Sequence, residues 1–130
     1  MKQVLIDLEE LFYVDCCKRT AHVKHVLEKG EAGLTAKDYD ILYQEVDSLY
    51  GGARAVHLPE LENFLFILAS YIRYLKRAGF GMITNGDIKL IHEGICLVQL
   101  FGANTSFNLE SYEVSLQAFV DRLNARMRKS

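Results

Sequence analysis

The chain has 130 residues, half of them apolar and a quarter charged, with one proline and a net charge of −2. That composition excludes a disordered chain and allows one domain, spanning residues 1–130, with a sizeable core. The mild acidity (pI about 6.1) argues against generic nucleic-acid binding, which needs a strong excess of Lys and Arg. Three cysteines, Cys16, Cys17 and Cys96, are an odd count without a disulfide framework, which points to a cytoplasmic thiol protein whose cysteines act as small hydrophobes. No segment reaches about 18 consecutive apolar residues, so no membrane span is expected. The N-terminal run lacks the basic start and unbroken apolar core of a signal peptide.

Helical periodicity runs through the whole chain. The first predicted helix carries Leu5, Leu8, Phe12, Cys16, Val23, Val26 and Leu27 in one stripe, with Asp7, Glu9 and Glu10 near its start and Lys29 at its end, as the helix dipole favours. Gly30 and Gly33 stop it. Thr35, with Asp38 three residues on, caps a second helix with the stripe Leu42, Val46, Leu49, Ala53 and Val56. Pro59 stands in the first turn of a third helix, where proline is tolerated. Its stripe is Leu61, Phe64, Leu65, Leu68, Ile72 and Leu75, and Gly79 and Gly81 end it.

Thr84, with Asp87 three on, caps a fourth helix that is apolar on two sides (Ile88, Ile91, Ile95 and Val98; Leu90, Leu97 and Phe101) and is therefore expected to be the central element. Asn108 is expected to cap a fifth helix with the stripe Leu109, Tyr112, Leu116, Phe119, Leu123 and Met127 and a basic end, Arg126, Arg128 and Lys129, suited to the dipole. Five helices with short connections predict an all-α fold, an antiparallel up-down four-helix bundle with a fifth helix. No segment alternates convincingly as a strand.

The most informative stretch is Tyr43 to Leu58, Y-Q-E-V-D-S-L-Y-G-G-A-R-A-V-H-L. At helical spacing Tyr43, Asp47, Tyr50, Gly51 and Arg54 cluster on one flank, about 60–160° from the centre of the apolar stripe, and should face solvent at least in part. Gly51 and Gly52 interrupt a pattern that continues on both sides, at a cost of about 2 kcal/mol relative to two alanines. Close helix packing or a helix break would account for them. So would another protein's surface that must approach the backbone there.

On these residues the segment resembles the histidine phosphotransfer (Hpt) family, the helical bundle found free-standing and as the first domain of chemotaxis histidine kinases. The family motif H-x-x-K-G-[SA]-A, closed by an apolar residue, Gly and Leu, lies on Asp47, Ser48, Leu49, Tyr50, Gly51, Gly52 and Ala53, then Val56, His57 and Leu58. Leu58-Pro59-Glu60-Leu61 continues it into the next helix. The resemblance covers residues 2–125, and its specific part is Asp47 to Leu61. Three positions depart from it: the family's phospho-accepting histidine falls on Asp47, its lysine on Tyr50 and its second glycine on His57. In an active member the imidazole takes the phosphoryl group, the lysine holds the phosphate charge, and the first glycine lets a receiver domain close over the site. Asp47 cannot form phosphohistidine and Tyr50 brings no positive charge.

The resemblance therefore implies a degenerate Hpt domain. It would have no catalytic residue, no cofactor and no metal, and would dock a response-regulator receiver domain or a histidine kinase in two-component or chemotaxis signalling. The expected docking residues are Tyr43, Asp47, Tyr50, Gly51, Gly52, Arg54, His57 and Phe66. Phe66 lies away from the stripe of the third helix and would extend the aromatic surface, since sequential helices are often neighbours.

Asp47 reads either as a solvated carboxylate, with Arg54 two turns away, or as a fixed mimic of a phosphorylated acceptor. Two alternatives to the docking role stand beside it. One is active phosphotransfer through His57. The other is an unrelated helical bundle that binds a ligand or forms a homodimer, for which the second apolar sides of the third and fourth helices leave room. His22 and His25, three apart, could offer two metal ligands, but no nearby acid or thiol completes a set, and they read as surface residues. His92, in line with Ile88 and Ile95, reads as a hydrogen-bonded core histidine. No phosphate-cradling glycine loop is present, and 80–86 reads as a plain loop.

Overall fold

The computed structural model describes residues 2–30, 33–78, 84–102 and 109–128, with the side chains of 2–7, 102 and 109 left aside. Among the described residues there are five helices and no strand: α1 (Lys2–Leu27), α2 (Ala36–Ala55), α3 (Pro59–Ala78), α4 (Asn85–Gly102) and α5 (Leu109–Arg128). No helix is long and apolar enough to cross a membrane. Expectations that rest on Gly79, Gly81 and Asn108 lie outside the described residues.

The caps form as their spacing predicts. Thr35 and Asp38 make a complete capping box: the Asp38 amide donates to Thr35 Oγ1 at 3.2 Å, and the Thr35 amide donates to Asp38 Oδ2 at 2.9 Å. Lys29, just past α1, adds an ion pair to Asp38 at 2.8 Å and so ties the end of α1 to the start of α2. Thr84 and Asp87 repeat the box on α4, at 3.3 and 3.0 Å. The carboxylates Glu9 and Glu10 do not cap α1, because that helix begins at Lys2 and places them beyond its first turn.

The predicted stripes of α2 and α3 are buried in full, and so is that of α5 over Tyr112, Leu116, Phe119 and Leu123. On α1 the stripe holds from Phe12 to Leu27, but Leu8 is 38% exposed, as are the neighbouring Leu11 and Val14 to a greater degree. Helix α1 is longer than the other described helices.

The central element is α3, not α4. Helix α3 packs against α2, α4 and α5, whereas α1 packs against α2 and α4. Helix α3 can do this because it is apolar on two sides: Tyr71 and Ala69, off its main stripe, are buried as well. Helix α4 keeps a wet face, on which Lys89, His92 and Glu93 are exposed and Leu90 and Leu97 only half-buried. His92 is therefore a surface residue, not a core one. Its neighbour one turn on is Cys96, with Sγ 3.7 Å from Nδ1. Where α4 crosses α3 and α5, Gly94 provides the clearance: a Cβ there would come within 3.1 Å of Phe119 and 3.3 Å of Phe64.

One polar cluster sits inside the apolar contact of α3, α4 and α5. Asp87, 2% exposed, receives two N–H groups of Arg126, Nε at 3.0 Å and Nη2 at 3.2 Å, together with the Tyr71 hydroxyl. Arg126 also donates to the Tyr74 hydroxyl and lies over that ring. Arg126 thus serves as the partner of a buried carboxylate on another helix, beyond any complement to the dipole of α5. Cys16, also buried, is an inert thiol: desolvation first, then the charges of Asp15 and Cys17, push it up to about 12.

Candidate functional site

Helices α2 and α3 form an antiparallel pair, and three cross-helix contacts set its register. Asp40 pairs with Lys76, Tyr43 lies under Arg73 with the guanidinium carbon 5.4 Å from the ring centre, and Tyr50 meets Phe66 with ring centres 5.9 Å apart. The numbers rise along α2 as they fall along α3. That register sets Asp47, between Tyr43 and Tyr50, opposite the turn that carries Ser70.

The flank predicted from the sequence is thus a real exposed surface. Asp47, Gly51 and Arg54 are exposed, and Tyr43, Tyr50 and Gly52 are half-buried at its edge. Phe66 is 53% exposed and lies on the same surface, because its ring tilts against Tyr50. Asp47 and Arg54 make no ion pair with each other, and neither has an ion-pair partner among the described residues.

The two glycines separate physically. At Gly52 a Cβ would lie 2.6 and 2.9 Å from ring atoms of Phe12, which is 4% exposed. Gly52 therefore exists so that α1 can lay Phe12 on the backbone of α2. At Gly51 a Cβ would meet nothing within 4 Å. The residue lies inside α2, one turn before its end, and is exposed; among the described residues no neighbour requires it, so the helix carries a propensity cost of up to about 1 kcal/mol without a packing return.

His57 occupies the turn that ends α2. Its φ is +60°, the left-handed region, and two hydrogen bonds close a Schellman motif around it: its own amide donates to the Arg54 carbonyl at 3.2 Å and the Leu58 amide to the Ala53 carbonyl at 3.0 Å. Glycine suits such a position best, which gives a physical reason for a glycine at the corresponding place of the resembled motif. His57→Gly should raise stability by about 1 kcal/mol, read as a higher urea midpoint with an unchanged slope. His57 is exposed and lies in the turn past the end of α2, outside the helix that carries Tyr43, Asp47 and Tyr50.

The other histidines are placed by surface pairs. His22 Nδ1 is 3.0 Å from Glu45 Oε2, and Glu45 also accepts from Arg19 at 2.8 Å, so that α1 and α2 are pinned by charges. His25 lies 3.5 Å from Glu28. Among the described residues, no group of three or more His, Cys, Asp or Glu side chains could hold a metal.

Sequence reasoning missed two features. One is the Asp87–Arg126–Tyr71 cluster, which joins residues of three helices and leaves no periodic pattern in the sequence. The other is a groove of about 560 Å³ between α2 and α3, beyond Tyr43. Comparison with protein-family models, with curated proteins and with solved structures finds no match to this chain.

Proposed function

We propose that this chain is a degenerate histidine phosphotransfer domain: an antiparallel four-helix bundle with a fifth helix, which docks a response-regulator receiver domain through its α2/α3 face and carries no phosphate itself. The observation that carries the reading is Gly51. It is exposed and has open space where its side chain would be, one turn from Asp47 at the acceptor position and beside the Tyr50–Phe66 pair. A glycine that no contact among the described residues requires is explained by a surface that must come close to the backbone from outside. The packing pattern supports the bundle: α1 lies on α2 and α4, and α3 lies on α2 and α4, as four helices in a ring require, while α5 covers α3.

The exposed half of the Phe66 ring and the Tyr50 edge supply apolar area for a partner, with charged Arg54 and Asp47 at its rim. Asp47 replaces the acceptor without imitating its phosphorylated form, since an aspartate on a helix face presents one short carboxylate where phosphohistidine presents a large dianion further from the backbone. Asp47→Asn should therefore bind receiver domains as the native chain does. Tyr50→Ala and Phe66→Ala should each weaken binding about tenfold or more, as truncation of an aromatic anchor does.

The direct test is incubation with a phosphorylated receiver domain or an active histidine kinase, followed by detection of acid-labile phosphate and by calorimetry. The reading predicts receiver binding and no label. Label that disappears in His57→Ala would establish phosphotransfer through that histidine instead. Absence of both label and binding would leave an unrelated helical bundle.

A further inference from the structure

Helix α1 buries one stripe and leaves a second row of residues in water on its opposite side. Leu11, Val14, Lys18, Ala21 and His25 recur at spacings of three and four, and all five are exposed, Leu11 at 65% and Val14 at 56%. That spacing is the a/d repeat of a coiled-coil seam. At 100° per residue the buried Phe12, Cys16 and Val23 lie on the other side of the helix, where α2 and α4 pack. A single exposed apolar side chain is ordinary, but two of them one turn apart in a seam row are an uncovered helix face.

The charges of α1 are divided along its length. Residues 7–15 hold four acids and no base, and residues 18–27 hold three bases, two histidines and no acid. The helix dipole accounts for Lys24 and His25, which lie in the last turn, but the first turn holds no acid, and the dipole acts little on mid-helix residues such as Glu10 and Lys18. Contacts within the chain use some of the others. Arg19 pairs with Asp15 and with Glu45 of α2, His22 meets the same Glu45, and Lys24 donates to Gln99 of α4. Glu10 and Lys18, which flank the exposed Leu11 and Val14, have no ion-pair partner among the described residues.

We propose that this face is covered by a second copy of the chain, with the two α1 helices antiparallel about a two-fold axis near residue 16. Such a contact is self-complementary: the acidic half of each helix lies on the basic half of the other, whereas a parallel pair would set acid on acid and base on base. In this register Leu11 of one copy faces Ala21 of the other, and Val14 faces Lys18. The small alanine leaves room for the leucine. The Lys18 stem covers Val14 while its ammonium reaches toward Glu10 of the facing helix. Symmetry makes each of these contacts twice. One helix against one helix is a small interface, so the dimer is of the transient class and forms as the protein concentration rises. The pairing does not depend on the docking role and uses a helix outside the α2/α3 face.

The test is sedimentation equilibrium of the whole chain over a wide range of concentration. A monomer–dimer equilibrium is expected for the native chain, and a monomer throughout for the double variant Leu11→Gln, Val14→Gln. Glu10→Lys and Lys18→Glu should each weaken the dimer about tenfold, because each sets like charges together at two symmetric contacts. The two changes combined in one chain should restore it, since the pair is then only reversed. All four residues are on the surface, and circular dichroism checks that the variants fold. A native chain that stays monomeric up to its solubility limit would overturn the proposal. So would a dimer that survives the loss of Leu11 and Val14, or one that the single charge changes leave unmoved, as a parallel pair or another face would.

Discussion

Asp87→Ala should cost about 3–5 kcal/mol of unfolding free energy, the range found when one partner of a buried ion pair is removed. For a chain of this length that is a fall of about 10–20 °C in melting temperature. The reasons accumulate at one residue. The substitution removes the capping box of α4, withdraws the acceptor from Arg126, and leaves the Tyr71 hydroxyl buried beside an apolar methyl. Arg126→Ala should cost less, because Arg126 is about a third exposed and Asp87 keeps its bonds from Thr84 and Tyr71. The double variant should lose less than the sum of the two, since each single change already breaks the same contact.

The same cluster sets an acid limit. Burial acts to raise the Asp87 carboxyl, but the Tyr71 hydroxyl, the Thr84 amide and Arg126 together outweigh it and hold the group below the usual aspartate value of 3.8. Asp38 is also held low, first by its bond from Lys29 and then by the Thr35 amide. A carboxylate whose pKa is depressed by folding stabilises the fold above its unfolded pKa and loses that contribution as the pH falls through its folded one. Stability should therefore be level from neutral pH down to about 5 and fall below about 4. Asp87→Asn, less stable at neutral pH, should show a shallower acid decline. Urea unfolding of both forms at neutral and acid pH measures it.

The second large effect is a contrast between adjacent residues. Gly51→Ala should stabilise the chain by about 1 kcal/mol, because the new methyl meets nothing and helix propensity is gained. Gly52→Ala should destabilise it by about 1–2 kcal/mol, the strain of overpacking less the same propensity gain. The Phe12 ring that the methyl would meet cannot withdraw freely, because it is buried and packs against Phe101 at 6.1 Å. Phe12→Leu combined with Gly52→Ala should recover part of the loss. If Gly51→Ala stabilises the fold and yet weakens receiver binding, the glycine is retained for a surface outside the chain.

Much of this structure was legible locally. The two Thr-x-x-Asp boxes, the proline that opens α3 and the stripes of α2 and α3 are short-range patterns, and each formed as its spacing required. The exposed flank of Tyr43, Asp47, Gly51 and Arg54 followed from helical angle alone, and Phe66 joined it because α2 and α3 are sequential neighbours. What failed depended on which helix lies in the middle. Apolar residues on two sides marked α4 as central, but α3 has the broader buried surface, with Tyr71 and Ala69 beyond its stripe. His92, in line with Ile88 and Ile95 at helical spacing, nevertheless lies on the exposed side of α4. The Asp87–Arg126 pair joins residues on different helices and leaves no periodic trace. Nor could spacing tell Gly51 from Gly52, since the difference lies in where Phe12 of another helix comes to rest.

The central claim is that α2 and α3 form a docking face for a receiver domain. Its most direct measurement is a titration of the isotope-labelled chain with an unlabelled receiver domain, with the amide shifts mapped onto the fold. The account predicts saturable shifts concentrated on residues 43–54 and 62–73, lost when Tyr50 and Phe66 are both replaced by alanine. A footprint on α1, α4 or α5, or no binding by any receiver domain tried, would contradict it.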